Sequence, residues 1–135
     1  RACPAGFVNG VWGYDEEGRG KFRGLWVDTE NRVIGHRAGH FGVNDQGQNV
    51  LFGKYINRNG MFEGYVRGTY EVNTTSGNGG MFKAEIINQN RHVIGAIEGK
   101  FRAGERWQNG FFAGRWKVQC GKPPMSGDDS ESDGL

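Results

Sequence analysis

The sequence contains few residues whose types and spacing could support metal chemistry. His36 and His40 are spaced like a pair of metal ligands. On a β-strand that rises about 3.3 Å per residue, however, they would stand about 13 Å apart, which is too far to share one ion. Cys3 and Cys120 do not form the CxxC pairs of a structural zinc site. We therefore expect no metal site and no cofactor, and we expect both histidines to face solvent.

Catalysis and nucleic-acid binding are also disfavoured by the distribution of polar residues. No Ser/His/Asp or Cys/His combination can be assembled with any specificity, and the acidic residues are spread over turns and one strand face. The 17 Lys and Arg residues form no dense run, so the basic surface that would neutralise phosphates is missing. The sequence favours a protein that is not an enzyme and does not bind nucleic acid.

A repeated pattern of glycine and aromatic residues predicts the secondary structure that positions the polar and aromatic side chains. Glycine makes up 25 of the 135 residues, which disfavours helices because glycine in a helix interior costs about 1 kcal/mol relative to alanine. One motif has two glycines followed by an aromatic residue, and its four copies are Gly6/Gly10/Trp12, Gly35/Gly39/Phe41, Gly64/Gly68/Tyr70 and Gly95/Gly99/Phe101. A second motif has an apolar, a small and a large residue at alternate positions, and its four copies are Phe22/Gly24/Trp26, Leu51/Gly53/Tyr55, Phe82/Ala84/Ile86 and Phe112/Gly114/Trp116.

The alternation within both motifs has the period of two that is typical of β-strands, so each repeat of about thirty residues is predicted to be a two-stranded hairpin. Turn sequences such as DEEGRG at 15 and NDQGQ at 44 separate the strands. An open sheet would leave an aromatic face in water. We therefore predict an all-β fold, an eight-stranded antiparallel up-and-down barrel over residues 1–120, built from four hairpin repeats and filled mainly by side chains.

One face of the predicted strands is almost entirely apolar and should form the barrel interior. Arg37 is the exception, because the other repeats have Val8, Val66 and Ile97 at its position. A buried charge needs a partner, so we expect Arg37 to pair with a tyrosine, a backbone carbonyl or a carboxylate, or else to bind a ligand at the barrel mouth. The remaining predicted interior residues are Trp12, Phe22, Trp26, Val33, Phe41, Leu51, Tyr55, Phe62, Tyr70, Phe82, Ile86, Val93, Phe101, Phe112 and Trp116.

The two cysteines predict where the protein is found. Cys3 precedes the first predicted strand and Cys120 ends the eighth, and these strands are neighbours at one rim of an up-and-down barrel. A disulfide there would close the seam, and disulfides persist in oxidising compartments. We expect an extracellular or cell-surface protein, the alternative being two unrelated thiols. Asn73 begins an Asn-Thr-Thr sequon and is a candidate glycosylation site.

Membrane insertion is not expected, because no apolar run approaches the roughly twenty residues of a spanning helix and the mean hydropathy is −0.68. Candidate contact residues are instead those that break the repetition on the polar face. Phe7, Phe52, Tyr65 and Phe111 have no counterparts in the other repeats, and Trp107 lies in a long polar loop. They are either isolated surface residues or a contact patch for carbohydrate or another subunit.

Residues 121–135 form an acidic tail that is rich in Pro, Gly and Ser and has the composition of a disordered segment. The tail has a net charge of −3, whereas residues 1–120 have a net charge of +5. This complementarity motivates head-to-tail assembly. Our sequence-based hypothesis is a non-catalytic extracellular structural protein that assembles with copies of itself into a surface layer or filament. The alternative is a secreted β-barrel module that binds carbohydrate or a small ligand.

Overall fold

The computed structural model describes residues 4–73, 78–104 and 109–119. Cys3, Trp107, Cys120 and the acidic tail lie outside these ranges. The strands are β1 (Ala5–Tyr14), β2 (Gly20–Asp28), β3 (Val33–Val43), β4 (Asn49–Asn57), β5 (Phe62–Val72), β6 (Gly79–Asn88), β7 (Val93–Ala103) and β8 (Asn109–Val118).

These strands close into one antiparallel barrel in sequence order. Each strand pairs with the next along the chain, and β8 pairs with β1. The predicted all-β fold with a closed eight-stranded antiparallel barrel is thereby confirmed. No helix long and apolar enough to cross a membrane occurs in the ranges given above.

Five of the connections share one turn, in which the side chain of the first residue holds the loop. In the β1–β2 turn, Asp15 Oδ1 accepts hydrogen bonds from the backbone N–H groups of Glu17 and Arg19, both at 2.9 Å. The first residues of the other four turns, which accept equivalent bonds, are Asp28, Asn44, Asn57 and Asn88. The fourth residue of each turn has a positive φ, and these residues are Gly18, Asn31, Gly47, Gly60 and Arg91.

Phe22 shows how aromatic rings cover the bare backbone of this strongly curved sheet. Its ring lies over Gly39 of β3 and Gly53 of β4, where an added Cβ would come within 2.8 Å of Phe22 Cζ. An added Cβ at Gly39 would also lie 2.2 Å from the carbonyl oxygen of Phe52. Glycine therefore permits both the close approach of the strands and the seating of the ring.

Three β-bulges change which of the predicted interior residues face inward. The register shifts after Trp26, Tyr55 and Ile86, in the pairs β2–β3, β4–β5 and β6–β7. Each bulge adds one residue to a strand, which reverses the face on which the preceding residues lie. The alternation of inward and outward side chains therefore fails at the end of the barrel where β3, β5 and β7 begin. The affected residues Val33, Phe62 and Val93 are exposed, and their predicted interior placement was wrong.

Candidate functional site

Four aromatic side chains form a closed ring inside the barrel. Trp12, Phe41, Tyr70 and Phe101 come from β1, β3, β5 and β7, and each contacts the next edge-to-face, with ring centroids 5.8 to 6.2 Å apart. Such pairs place the positive edge of one ring near the negative face of the next. The contacts orient these four side chains as walls of the interior.

A cavity of about 90 Å³ is lined by this aromatic ring and continues toward the centre of the barrel. Tyr14 and Val72 also line the cavity and are exposed at the ends of β1 and β5, so we call this end the mouth. Every side chain that lines the cavity is apolar or aromatic except Arg37. The cavity is thus an apolar pocket that carries one charge.

Leu51 accounts for part of this space. Phe22, Phe82 and Phe112 occupy the matching position of the second motif, and their rings pack together with centroids 6.1 Å (Phe22–Phe112) and 5.9 Å (Phe82–Phe112) apart. At the fourth such position leucine has no ring to add to this layer, and Leu51 lines the cavity together with Ala84. The absence of a ring at position 51 therefore leaves space that belongs to the cavity.

Arg37 forms the inner end of the cavity and is only 4% exposed. Its Cζ lies 5.1 Å from the ring centroid of Trp26 and 5.3 Å from that of Phe112. Its Nε has no hydrogen-bond partner, and no ion pair found within the described ranges includes it. Two aromatic faces thus stand where the sequence led us to expect a hydrogen-bonding or charged partner.

Burial lowers the pKa of Arg37 to about 9, because the guanidinium loses its hydration. The side chain remains protonated at neutral pH, so the cavity ends on a full positive charge. Trp26 Nε1 is a second buried N–H donor without a hydrogen-bond partner, next to Arg37 but not among the residues that line the cavity. Donors that lack acceptors are suited to an anion, because a carboxylate accepts hydrogen bonds without donating any.

The outer face brings two of the candidate contact residues together. The rings of Phe52 and Tyr65 have centroids 5.4 Å apart at an interplanar angle of 32°. Phe62 contacts Tyr65 edge-to-face at 5.0 Å. Sequence reasoning placed Phe62 inside, and only the bulge in the β4–β5 pair reveals it as part of this surface.

The other two described contact candidates lie on the opposite strands. Phe7 on β1 and Phe111 on β8 are exposed, and Phe111 pairs in register with Val11, which is also exposed. The structure therefore separates the four aromatic candidates into two surfaces, one on β4 and β5 and one on β1 and β8. Trp107 lies outside the described residues.

The polar candidates form no site. His36 and His40 are exposed, and no group of three or more potential metal ligands occurs in the part of the chain that is described. Asn73 is exposed at the end of β5, and its backbone N–H donates a hydrogen bond to the carbonyl oxygen of Gly79 at 2.6 Å. Its glycosylation stays a prediction.

The seam between β1 and β8 joins residues that are close in sequence to the two cysteines. The backbone N–H of Val118 donates to the carbonyl oxygen of Pro4 at 2.9 Å. Pro4 follows Cys3, and Val118 lies two residues before Cys120. Both cysteines are outside the described ranges, so the disulfide also stays a prediction.

Comparison with known proteins assigns no family to this chain. No protein-family model matches the sequence, and no curated protein matches it.

Proposed function

We propose that this protein is a secreted, non-catalytic barrel, built from four hairpin repeats, that binds a small and largely apolar ligand through its mouth. The observation that carries the proposal is the apolar cavity, which runs from the exposed Tyr14 and Val72 to the buried Arg37. Ligand sites are typically concave and mostly apolar, with a few polar groups that orient the ligand. This cavity has that composition.

The lining of the cavity favours binding by burial of apolar surface. Each methylene group moved from water into such surroundings contributes about 0.8 kcal/mol. The edge-to-face contacts that connect Trp12, Phe41, Tyr70 and Phe101 hold the walls in place before a ligand enters. A preformed wall reduces the entropy lost on binding.

Titration of the full chain with 1-hexanol and with hexanoate, followed by methyl NMR, tests this function. We expect the methyl signals of Leu51, Val72 and Ala84, which line the cavity, to shift in a saturable manner. Val93, an exposed residue at the start of β7 that does not line the cavity, provides an internal control at the other end of the barrel. Absence of shifts at the three lining residues with both probes would refute the proposal.

Leu51→Phe is the matched variant for this experiment. It places at position 51 the residue that occupies the equivalent positions 22, 82 and 112, so the variant should fold while its ring occupies the cavity. We expect both probes to bind at least tenfold more weakly, the effect of losing about 1.4 kcal/mol of favourable contact. Unchanged affinity for both probes would show that they bind elsewhere.

As a second function we propose assembly with further copies of the chain at the cell surface. It is supported by the pair of Val11 on β1 and Phe111 on β8, which lie opposite each other in register and are both exposed, Phe111 to 59%. Adjacent exposed apolar side chains are typical of contact surfaces. The acidic tail lies outside the described residues, so this surface alone supports the proposal.

Light scattering over a range of protein concentrations tests for assembly. We expect oligomers that Phe111→Ser dissociates, whereas Met61→Ser, at an exposed position just before β5, should leave the molar mass unchanged. A chain that stays monomeric at every concentration would rule out this second function.

A further inference from the structure

The buried charge of Arg37 is the feature that an apolar ligand alone does not explain. Arg37 is 4% exposed, its Nε has no hydrogen-bond partner, and no carboxylate lines the cavity. An isolated buried charge is costly and is retained in proteins when something pairs with it. Its partner is missing from the described residues, and Arg37 is one of the residues that line the cavity.

Resting on the proposed binding function, we infer that the ligand is an amphipathic monocarboxylate whose carboxylate pairs with Arg37 and whose unbranched apolar tail extends between the aromatic rings toward the mouth. A carboxylate complements a guanidinium because two parallel N–H···O bonds can form. One of these bonds would use the unpartnered Nε–H of Arg37.

The charge of the ligand follows from the number of ionic groups in the cavity. Arg37 is the one ionic side chain among the lining residues that the structure describes. A single negative charge neutralises it, whereas a dianion such as a phosphate monoester would leave an unpaired negative charge in apolar surroundings. A neutral ligand would leave the guanidinium as unpartnered as it is in the free protein.

The shape of the tail follows from the position of Arg37 along β3. Arg37 lies four residues from Phe41 of the aromatic ring, a distance of about 13 Å along the strand and roughly 10 Å along the axis of a barrel with tilted strands. The cavity between these levels is narrow, at about 90 Å³. An extended alkyl tail fits such a passage, and its far end can leave through the mouth between Tyr14 and Val72.

Isothermal titration calorimetry with hexanoate and 1-hexanol, which contain the same number of carbon atoms, tests the inference. We expect the unaltered chain to bind hexanoate about 10- to 100-fold more tightly than hexanol, the range expected for hydrogen bonds to a charged group. Arg37→Met should abolish this preference while it retains binding of hexanol. Arg115→Met, on the exposed outer face of β8, is the control that should behave like the unaltered chain.

The outcomes separate this inference from the binding function on which it rests. Binding of hexanol as tight as that of hexanoate would overturn the carboxylate assignment and leave an apolar binding barrel. A hexanoate affinity unchanged in Arg37→Met would likewise overturn it. If neither probe shifts the signals of the cavity-lining methyl groups, the binding function itself is refuted. Because Arg37→Met replaces a buried charge with an apolar chain, failure to fold is not expected, and circular dichroism verifies this.

Hexanoate should also stabilise the fold, since it binds the native chain and not the unfolded one. We expect Tm to rise with hexanoate concentration in the unaltered chain and in Arg115→Met. The rise should be absent in Arg37→Met at the same concentrations. An equal rise in all three proteins would contradict a role for Arg37.

Discussion

The guanidinium carbon of Arg37 lies 5.1 Å from the centroid of the Trp26 ring, in the interior of a barrel that supplies it with no counter-charge among the described residues. A cation on an aromatic face gains about 2 kcal/mol when it is desolvated. That gain offsets only part of the cost of removing a charge from water. The arrangement therefore lowers stability in the ligand-free protein and keeps a charge available to a ligand.

Replacing this charge should make the free protein more stable. We expect Arg37→Met to raise the free energy of unfolding by about 1 to 4 kcal/mol, the range found when buried ionic groups are replaced by packed apolar ones. Urea unfolding at pH 7 measures the change, with Arg115→Met as an exposed control expected to stay within about 0.5 kcal/mol of the unaltered chain. A loss of stability in Arg37→Met would mean that Arg37 has a compensating partner.

Substitution of Arg91 with glycine should raise the stability of the fold. It has a φ of +68° at the fourth position of the β6–β7 turn, where Gly18, Gly47 and Gly60 occupy the equivalent turns. A residue with a Cβ is strained in this region, so Arg91→Gly should stabilise the fold by about 1 kcal/mol.

Gly47→Ala is the matched reverse change. A Cβ added at Gly47 has no atom within 4 Å, so its effect reports backbone strain alone. We expect a loss of about 1 kcal/mol by urea unfolding. If Arg91→Gly and Gly47→Ala both leave the unfolding midpoint unchanged, the positive φ at the fourth turn position does not limit the stability of the fold.

Asp15 should make the stability of the β1–β2 turn depend on pH in the acidic range. The backbone N–H of Arg19 is the main cause that lowers its pKa from 3.8 to about 2, with Glu17 N–H and the Arg19 side chain adding to the effect. Because the pKa is lower in the folded chain, the carboxylate contributes stability above about pH 4, and this contribution disappears as the pH falls from about 4 to about 2. Direct NMR titration of the Asp15 carboxyl carbon tests the value.

Asp15→Asn separates the charge from the hydrogen bonds. Asn44 accepts the same two backbone bonds in the β3–β4 turn, both at 2.9 Å, so an amide oxygen can hold this loop. We expect Asp15→Asn to lose less stability than the unaltered chain between pH 4 and pH 2. Asp15→Ala, which removes the acceptor, should be destabilised across the whole range. If the free energy of unfolding falls equally with pH in the unaltered chain and in Asp15→Asn, the role of the charge is refuted.

The cysteines should form a disulfide that closes the β1–β8 seam. The hydrogen bond from Val118 to Pro4 joins two residues that are close in sequence to Cys120 and Cys3, respectively. A bond that closes so long a loop contributes about 5 kcal/mol in the chain-entropy model. Cys120→Ser should therefore lower the unfolding midpoint as much as reduction does. Two free thiols titrated in the unreduced, denatured chain would disprove the bond.

Most of the architecture could be predicted from the sequence because its signals are local. Alternation with a period of two identifies strands and their inward faces, and Asp-x-x-Gly or Asn-x-x-Gly segments identify turns. The interior positions of Val8, Val66 and Ile97, each at most 1% exposed, follow from this alternation. Position 37 was predicted to face inward for the same reason.

The sequence by itself therefore determined eight strands, a closed barrel and a charge on the inner face. Only the tertiary structure decided which side chains meet, because contacts across the barrel depend on the stagger of strands that are distant in the chain. The approach of Phe112 on β8 to Arg37 on β3 is one such contact, and the bulge that exposes Phe62 is set by pairing with β4. The cavity that makes Arg37 a candidate ligand site arises from these contacts and from the missing ring at Leu51.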